Sequence, residues 1–183
     1  ADRLDVRPHP HIGLSTLTYL LEGSMYHRDS LGHEQEILPG GVNWMTAGKG
    51  ISHSERESFE ARSRNRTLHG LQFWVALPLE EEDREPSFVH YPDESIPHLV
   101  SESADLHLVA GSVQGKTSPL KAYSPMTFMV LKAHRSGVFQ HQSLRDEELG
   151  VYVVKGEARV GEAVLREGQL LVFETGSELE VSY

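Results

Sequence analysis

Residues 44–55 read WMTAGKGISHSE and residues 9–11 read HPH. In an extended strand the side chains at i and i+2 point to the same face, so His9 with His11, and His53 with Glu55, each project as a pair. Together the two pairs offer three imidazoles and one carboxylate. That donor set suits iron, manganese, nickel, copper or zinc, and a six-coordinate ion held by it keeps two positions open for water, oxygen or substrate. A single His-x-His carries little weight in a chain with 11 histidines. The second pair adds weight to the reading.

The run HPHIGLSTLTYLLEGSMYHRDSLGHEQEILPGGVNWMTAGKGISHSE, residues 9–55, resembles the first barrel of the pirin family, within the cupin superfamily. Five features carry the resemblance: the HPH, the TYLLEG strand and turn, the H-x-D-S-x-G-H hairpin from His27 to His33, the PGG at Pro39 to Gly41, and the WMTAGxGIxHSE ending. The resemblance implies an all-β fold of tandem cupin (bicupin) barrels or sandwiches. It also implies one metal in the first barrel, usually iron, with manganese, nickel, copper or zinc as alternatives, held by His9, His11, His53 and Glu55. Many cupins place a further Glu shortly after the second His; Ser15 stands at or beside that position, and a hydroxyl cannot replace a carboxylate ligand. The difference is read as one in the groups around the ligands. Family members carry strands before the HPH and a segment beyond the position of Tyr183, so the resemblance implies a chain truncated at both ends.

A chain of 183 residues can bury a sizeable core in one large or two small domains, and two small barrels are expected. Its 17 basic and 27 acidic residues leave a formal charge of −10, with no basic cluster to grip phosphates, so direct nucleic-acid binding is excluded. The absence of cysteine excludes disulfides, Cys-ligated zinc and thiol nucleophiles, and makes a cytoplasmic setting the default expectation. No apolar run reaches membrane-spanning length, so no membrane partner is expected.

Strand signals recur along the chain. Pro10 cannot donate a ladder hydrogen bond and belongs at a strand start or sheet edge. Leu14 to Leu21, Ser24 to Asp29, Glu34 to Leu38 and Val42 to Thr46 alternate with glycine-bearing turns. His27 and His33 flank such a turn with Asp29 and are read as hairpin hydrogen-bonders. Residues 47–50 form a turn that aims His53 and Glu55 inward, with Lys49 a surface charge. Residues 59–67 are expected to be a solvated charged loop. Leu68 to Leu77 reads as a central strand with Phe73 and Trp74 on opposite faces, one of which can line a metal cavity. Prolines and acidic residues from Pro78 to Pro97 mark a linker with one edge strand, Ser87 to Tyr91. These signals predict a metal-binding barrel over 1–91 and a second, metal-free one over 92–183, where His141 lacks an i, i+2 partner.

The chain contains no GxSxG, and no GxGxxG opens a helix. Ser52 and Ser54 point away from His53 across a strand, which excludes a Ser–His pair there. The resemblance implies a quercetin-type dioxygenase, in which the metal binds an enolate-like oxygen of a flavonol-like aromatic substrate and Glu55 accepts its proton. It equally implies a second class of function: a redox-sensing iron protein acting as regulatory partner of a transcription factor or enzyme, without turnover. A metal-free or adventitiously zinc-loaded fragment is the third reading.

Overall fold

A computed structural model describes residues 5–57, 67–142 and 147–183; apart from Thr67, the charged loop expected over 59–67 lies outside them. Among the described residues the only helical piece is a 3-10 turn at Asp93–Ser95, and no helix is long and apolar enough to cross a membrane. The fold is all-β. The chain divides into two compact units, one of Ala1–His98 with His107–Val130 and one of Leu99–Leu106 with Leu131–Tyr183.

In the first unit eight strands build two sheets. They are β1 (Asp5–His11), β2 (Leu14–Glu22), β3 (Met25–Asp29), β4 (Glu34–Ile37), β5 (Val42–Thr46), β6 (Ile51–Arg56), β7 (His69–Ala76) and β8 (Ser87–Tyr91). One sheet has the order β1-β6-β3-β4 and the other β7-β2-β5-β8. Pro10 therefore lies on an edge strand, where its missing N–H breaks no ladder. The strand at Ser87–Tyr91 is also at an edge, as its proline-rich surroundings predict.

Strand β2 is buried along most of its length because both of its faces are covered. Leu17 and Tyr19 join Val42, Trp44, Ile96, Val109, Ala110, Leu120 and Val130 in an apolar cluster on one face. The other face turns Thr16 and Thr18, both buried, toward the first sheet. Leu20 meets Met25 and Ile37 there, and Met45 meets Ala47 and Ile51. The space between the sheets is thus apolar at both ends and polar in the middle, beside β1 and β6.

Strand β7 differs from the sequence expectation. It pairs with β2 on one side only and forms an edge of its sheet among the described strands. Its long apolar run has two separate causes. Val75 packs on the apolar cluster and Phe73 meets Phe128 edge-on at 4.8 Å, while Trp74, on the opposite face, is 67% exposed. An exposed apolar residue looks, in sequence, like one in a core.

Further along are β9 (His98–Val100), β10 (Ala104–Ala110), β11 (Ser112–Val113), β12 (Lys116–Thr117) and β13 (Phe128–Ala133). The second unit then adds β14 (Val138–Gln142), β15 (Leu149–Tyr152), β16 (Glu157–Val160), β17 (Ala163–Arg166), β18 (Leu170–Phe173) and β19 (Glu178–Ser182). Its strands form a β14-β19-β16-β17 sheet and a β15-β18 pair around Val153, Ala158, Val160, Leu165 and Leu179.

The turn between β5 and β6 carries the chain from one sheet to the other. The Gly48 carbonyl accepts from Gly13 N–H at 2.8 Å and the Lys49 N–H donates to the Arg84 carbonyl at 3.0 Å. Gly48 has φ +52°, and a Cβ there would lie 2.1 Å from the Arg84 carbonyl oxygen. Gly48→Ala is expected to lower stability by more than about 1 kcal/mol in chemical denaturation. Gly161→Ala, at φ +57° with nothing within 4 Å of the added carbon, is the control and loses less.

Candidate metal centre

β1 and β6 pair antiparallel with His9 opposite His53 and His11 opposite Ile51, and a shift of register between Val6 and His9 brings Val6 opposite Glu55. Period-two alternation then sends the side chains of His9, His11, His53 and Glu55 to the one face that looks across at β2 and β7. The imidazoles of His9, His11 and His53 bring one nitrogen each within 4.8 Å of one another. His11 Nε2 and His53 Nε2 stand 3.0 Å apart. Two nitrogens at about 2.1 Å from a common ion, at right angles, lie about 3.0 Å apart, so this pair fits a shared metal. His9 donates its Nδ1–H to the Arg7 carbonyl at 2.9 Å, which leaves its Nε2 as the lone-pair nitrogen.

Glu55 enters a second grouping, with His53 and His27. Gln72 Nε2 donates to Glu55 Oε1 at 2.7 Å and to Thr18 Oγ1 at 3.1 Å, using both amide protons. Thr18 and Gln72 are directly paired residues of β2 and β7. Burial raises the Glu55 pKa, against the hydrogen bonds from Gln72 and Thr18 and the charge of His9, which lower it. Trp74 meets His11 edge-on at 5.2 Å while remaining exposed.

His27 is fully buried behind the site, stacked on Phe88 at 4.2 Å. Its Nδ1 lies 3.4 Å from His53 Nδ1 and its Nε2 lies 3.1 Å from Asp29 Oδ2. Both nitrogens are thus engaged, in agreement with the reading of His27 as a hairpin hydrogen-bonder. His33 also holds Asp29, through Nδ1 at 3.0 Å, in agreement with the hairpin reading. Asp29 is buried, which raises its pKa, but the hydrogen bonds from His27, His33 and Leu31, with the charge of His33, more than offset this and lower it.

Lys49 pairs with Glu85 at the surface, as expected. Ser15 Oγ donates to Thr46 Oγ1 at 3.1 Å. Reasoning from sequence missed Gln72, Thr18 and the contact of His27 with His53, because cross-strand adjacency is a matter of register. It also missed a third grouping, Asp93, His98 and His107. There the two imidazoles stack at 3.9 Å with their planes 26° apart, unlike the edge-on pair of His9 and His11. The His107 Nδ1 hydrogen-bonds the Tyr19 hydroxyl at 3.0 Å.

Against known proteins, residues 1–75 match the family model described as Pirin. A pirin-like protein of Caulobacter vibrioides is 44% identical over 94% of this chain and 59% of its own length. Pirin of Rattus norvegicus is 32% identical over 84% of this chain and 51% of its own. Among solved structures, quercetin 2,3-dioxygenase from Acinetobacter baumannii superposes with a TM-score of 0.90 at 36% identity, over 98% of this chain and 58% of that one. The chain thus spans 51% to 59% of the length of these relatives.

Burial pushes the His53 pKa down to about 3, and the nearby rings of His27, His9 and His11 add to the effect. Burial also lowers His11 and His27. These rings are neutral in the fold and gain protons on unfolding below the ordinary value of 6.5. The stability they leave intact above pH 6.5 is lost as pH falls toward 3. The midpoint of thermal unfolding of the metal-free protein should drop steadily across that window; His53→Gln should flatten the drop, and an unchanged slope would show that His53 is not its source.

Proposed function

We propose, on the premise that residues 1–75 belong to the pirin family, that the chain carries a quercetin-type dioxygenase site in its first unit. Its ligands are His9, His11, His53 and Glu55, and its metal is a single divalent ion, iron first. The observation that carries the reading is the convergence of three imidazoles, two of them with facing Nε2 atoms 3.0 Å apart, beside an exposed tryptophan and a tethered carboxylate. The similarity to the Acinetobacter baumannii quercetin 2,3-dioxygenase supports the substrate class, a planar aromatic with adjacent hydroxyl and keto oxygens.

A divalent ion bound there supplies a Lewis acid for a substrate oxygen and a redox centre for oxygen. The rest of the chemistry belongs to side chains. Trp74 offers a flat apolar wall for an aromatic ring at the mouth. Glu55, its pKa raised by burial, is suited to accept the substrate hydroxyl proton. Gln72 holds that carboxylate by Oε1, and a hydrogen bond from Thr18 adds to the hold. The apolar contacts at either end of the inter-sheet space limit the water around them.

Elemental analysis should find close to one metal equivalent per chain, falling to a small fraction in His11→Ala and in His53→Ala. Unchanged loading in both variants would remove the ligand assignment. Oxygen consumption with a flavonol should fall by about a hundredfold or more in Glu55→Gln, while metal content falls much less. Absence of oxygen consumption in the parent with iron, manganese, nickel, copper and zinc in turn would give first place to the regulatory reading.

A further inference from the structure

Asp29 lies outside the proposed ligand set, yet an unbroken chain of hydrogen bonds through His27 connects it to His53 Nδ1, across the ring from the metal-facing Nε2. The backbone N–H groups of Leu31 and His33 donate to Asp29 Oδ1 at 2.9 and 3.1 Å. The side chain has no exposed surface, and its Oδ2 faces His27 Nε2 at 3.1 Å. A carboxylate only accepts, so the proton between them sits on His27 Nε2. A neutral imidazole has one donor and one acceptor nitrogen, so His27 Nδ1 is the acceptor. It faces His53 Nδ1 at 3.4 Å, which must then carry the proton of His53. The lone pair of His53 is left on Nε2, the atom 3.0 Å from His11 Nε2.

We propose that Asp29, acting through His27, is a positioning residue that fixes His53 as the Nδ1–H tautomer and so presents Nε2 as a ready ligand. The proposal rests on the metal-site reading above and deepens it. Direct carboxylate–histidine–metal contacts are common; here one imidazole is interposed, so each end of the relay must hold its proton on the correct side. The stacking of His27 on Phe88 fixes the plane of the interposed ring.

The chemistry of the hairpin supplies an isosteric test. In Asp29→Asn the two backbone N–H donors still demand an oxygen at the Oδ1 position, so the amide nitrogen takes the place of Oδ2. That nitrogen only donates. His27 must then accept at Nε2 and carry its proton on Nδ1, His53 must accept at Nδ1, and its proton moves to Nε2, where a ligand lone pair is needed.

Nitrogen-15 NMR of the histidine rings in the metal-free protein near neutral pH reads this directly. His53 is expected as the Nδ1–H tautomer in the parent and the Nε2–H tautomer in Asp29→Asn. Zinc affinity, measured by chelator competition, should fall by about 10- to 100-fold in the variant. An Nε2–H His53 in the parent overturns the proposal, whatever the variant does and even if the variant does not fold. A tautomer that does not change in a folded Asp29→Asn overturns it as well. Failure of the parent to bind zinc, manganese or nickel would overturn the metal reading, while the ring spectra would still decide the relay.

Discussion

The antiparallel hydrogen bonds that set His9 opposite His53 decide where every other group of the site must be. With side chains alternating at period two, a slip of β1 by one residue along β6 would send His9 and His11 to the outside of the sheet, away from His53 and Glu55. Three local features hold the register. The turn through Gly48 delivers β6 from one sheet into the other. The irregularity between Val6 and His9 restores the phase after Pro8. On its other edge β6 pairs with β3, where Asp29 lies opposite His53 and His27 opposite Glu55. The strand that bears two proposed ligands is thus held from both sides.

Burial gives this arrangement its chemical character. Three imidazoles and a carboxylate lie between two sheets whose contacts on either side are apolar, and burial disfavours every charged form there. His11, His27 and His53 are pushed toward the neutral state in which a ring nitrogen keeps its lone pair. Thr18 on the inner face of β2 and Gln72 on β7 satisfy the carboxylate that would otherwise be stranded. Because β2 is covered on both faces, its outer side can be wholly committed to packing by Leu17 and Tyr19 while its inner side serves the site.

Much of this could be read in the sequence, since short-range patterns encode it. HPH and HSE show their i, i+2 pairs directly, and the glycine and proline turns mark strands such as Val42–Thr46 and Ser87–Tyr91 at the positions where they occur. Information that depends on which strands become neighbours could not be read this way. Gln72 is 17 residues from Glu55 and touches it only because β7 pairs with β2 and faces β6. The closeness of His27 to His53 comes from β3 lying beside β6. Asp93, His98 and His107 have no periodic spacing, and a short turn and a distant strand bring them together. The run around Trp74 misled because hydrophobicity alone does not separate a core face from the wall of an opening.

Trp74 has one more consequence, which is optical. The chain has two tryptophans, and Trp44 is buried in the apolar cluster at 3% exposure while Trp74 is 67% exposed with its ring 5.2 Å from His11. One indole therefore emits from a dry environment and the other from a wet one, so their emission bands separate along the wavelength axis. An ion held by His11 would lie beside the red-edge emitter, and a ring seated on Trp74 would shift its band. The fold thus contains an intrinsic fluorophore beside His11 and a reference fluorophore in its core.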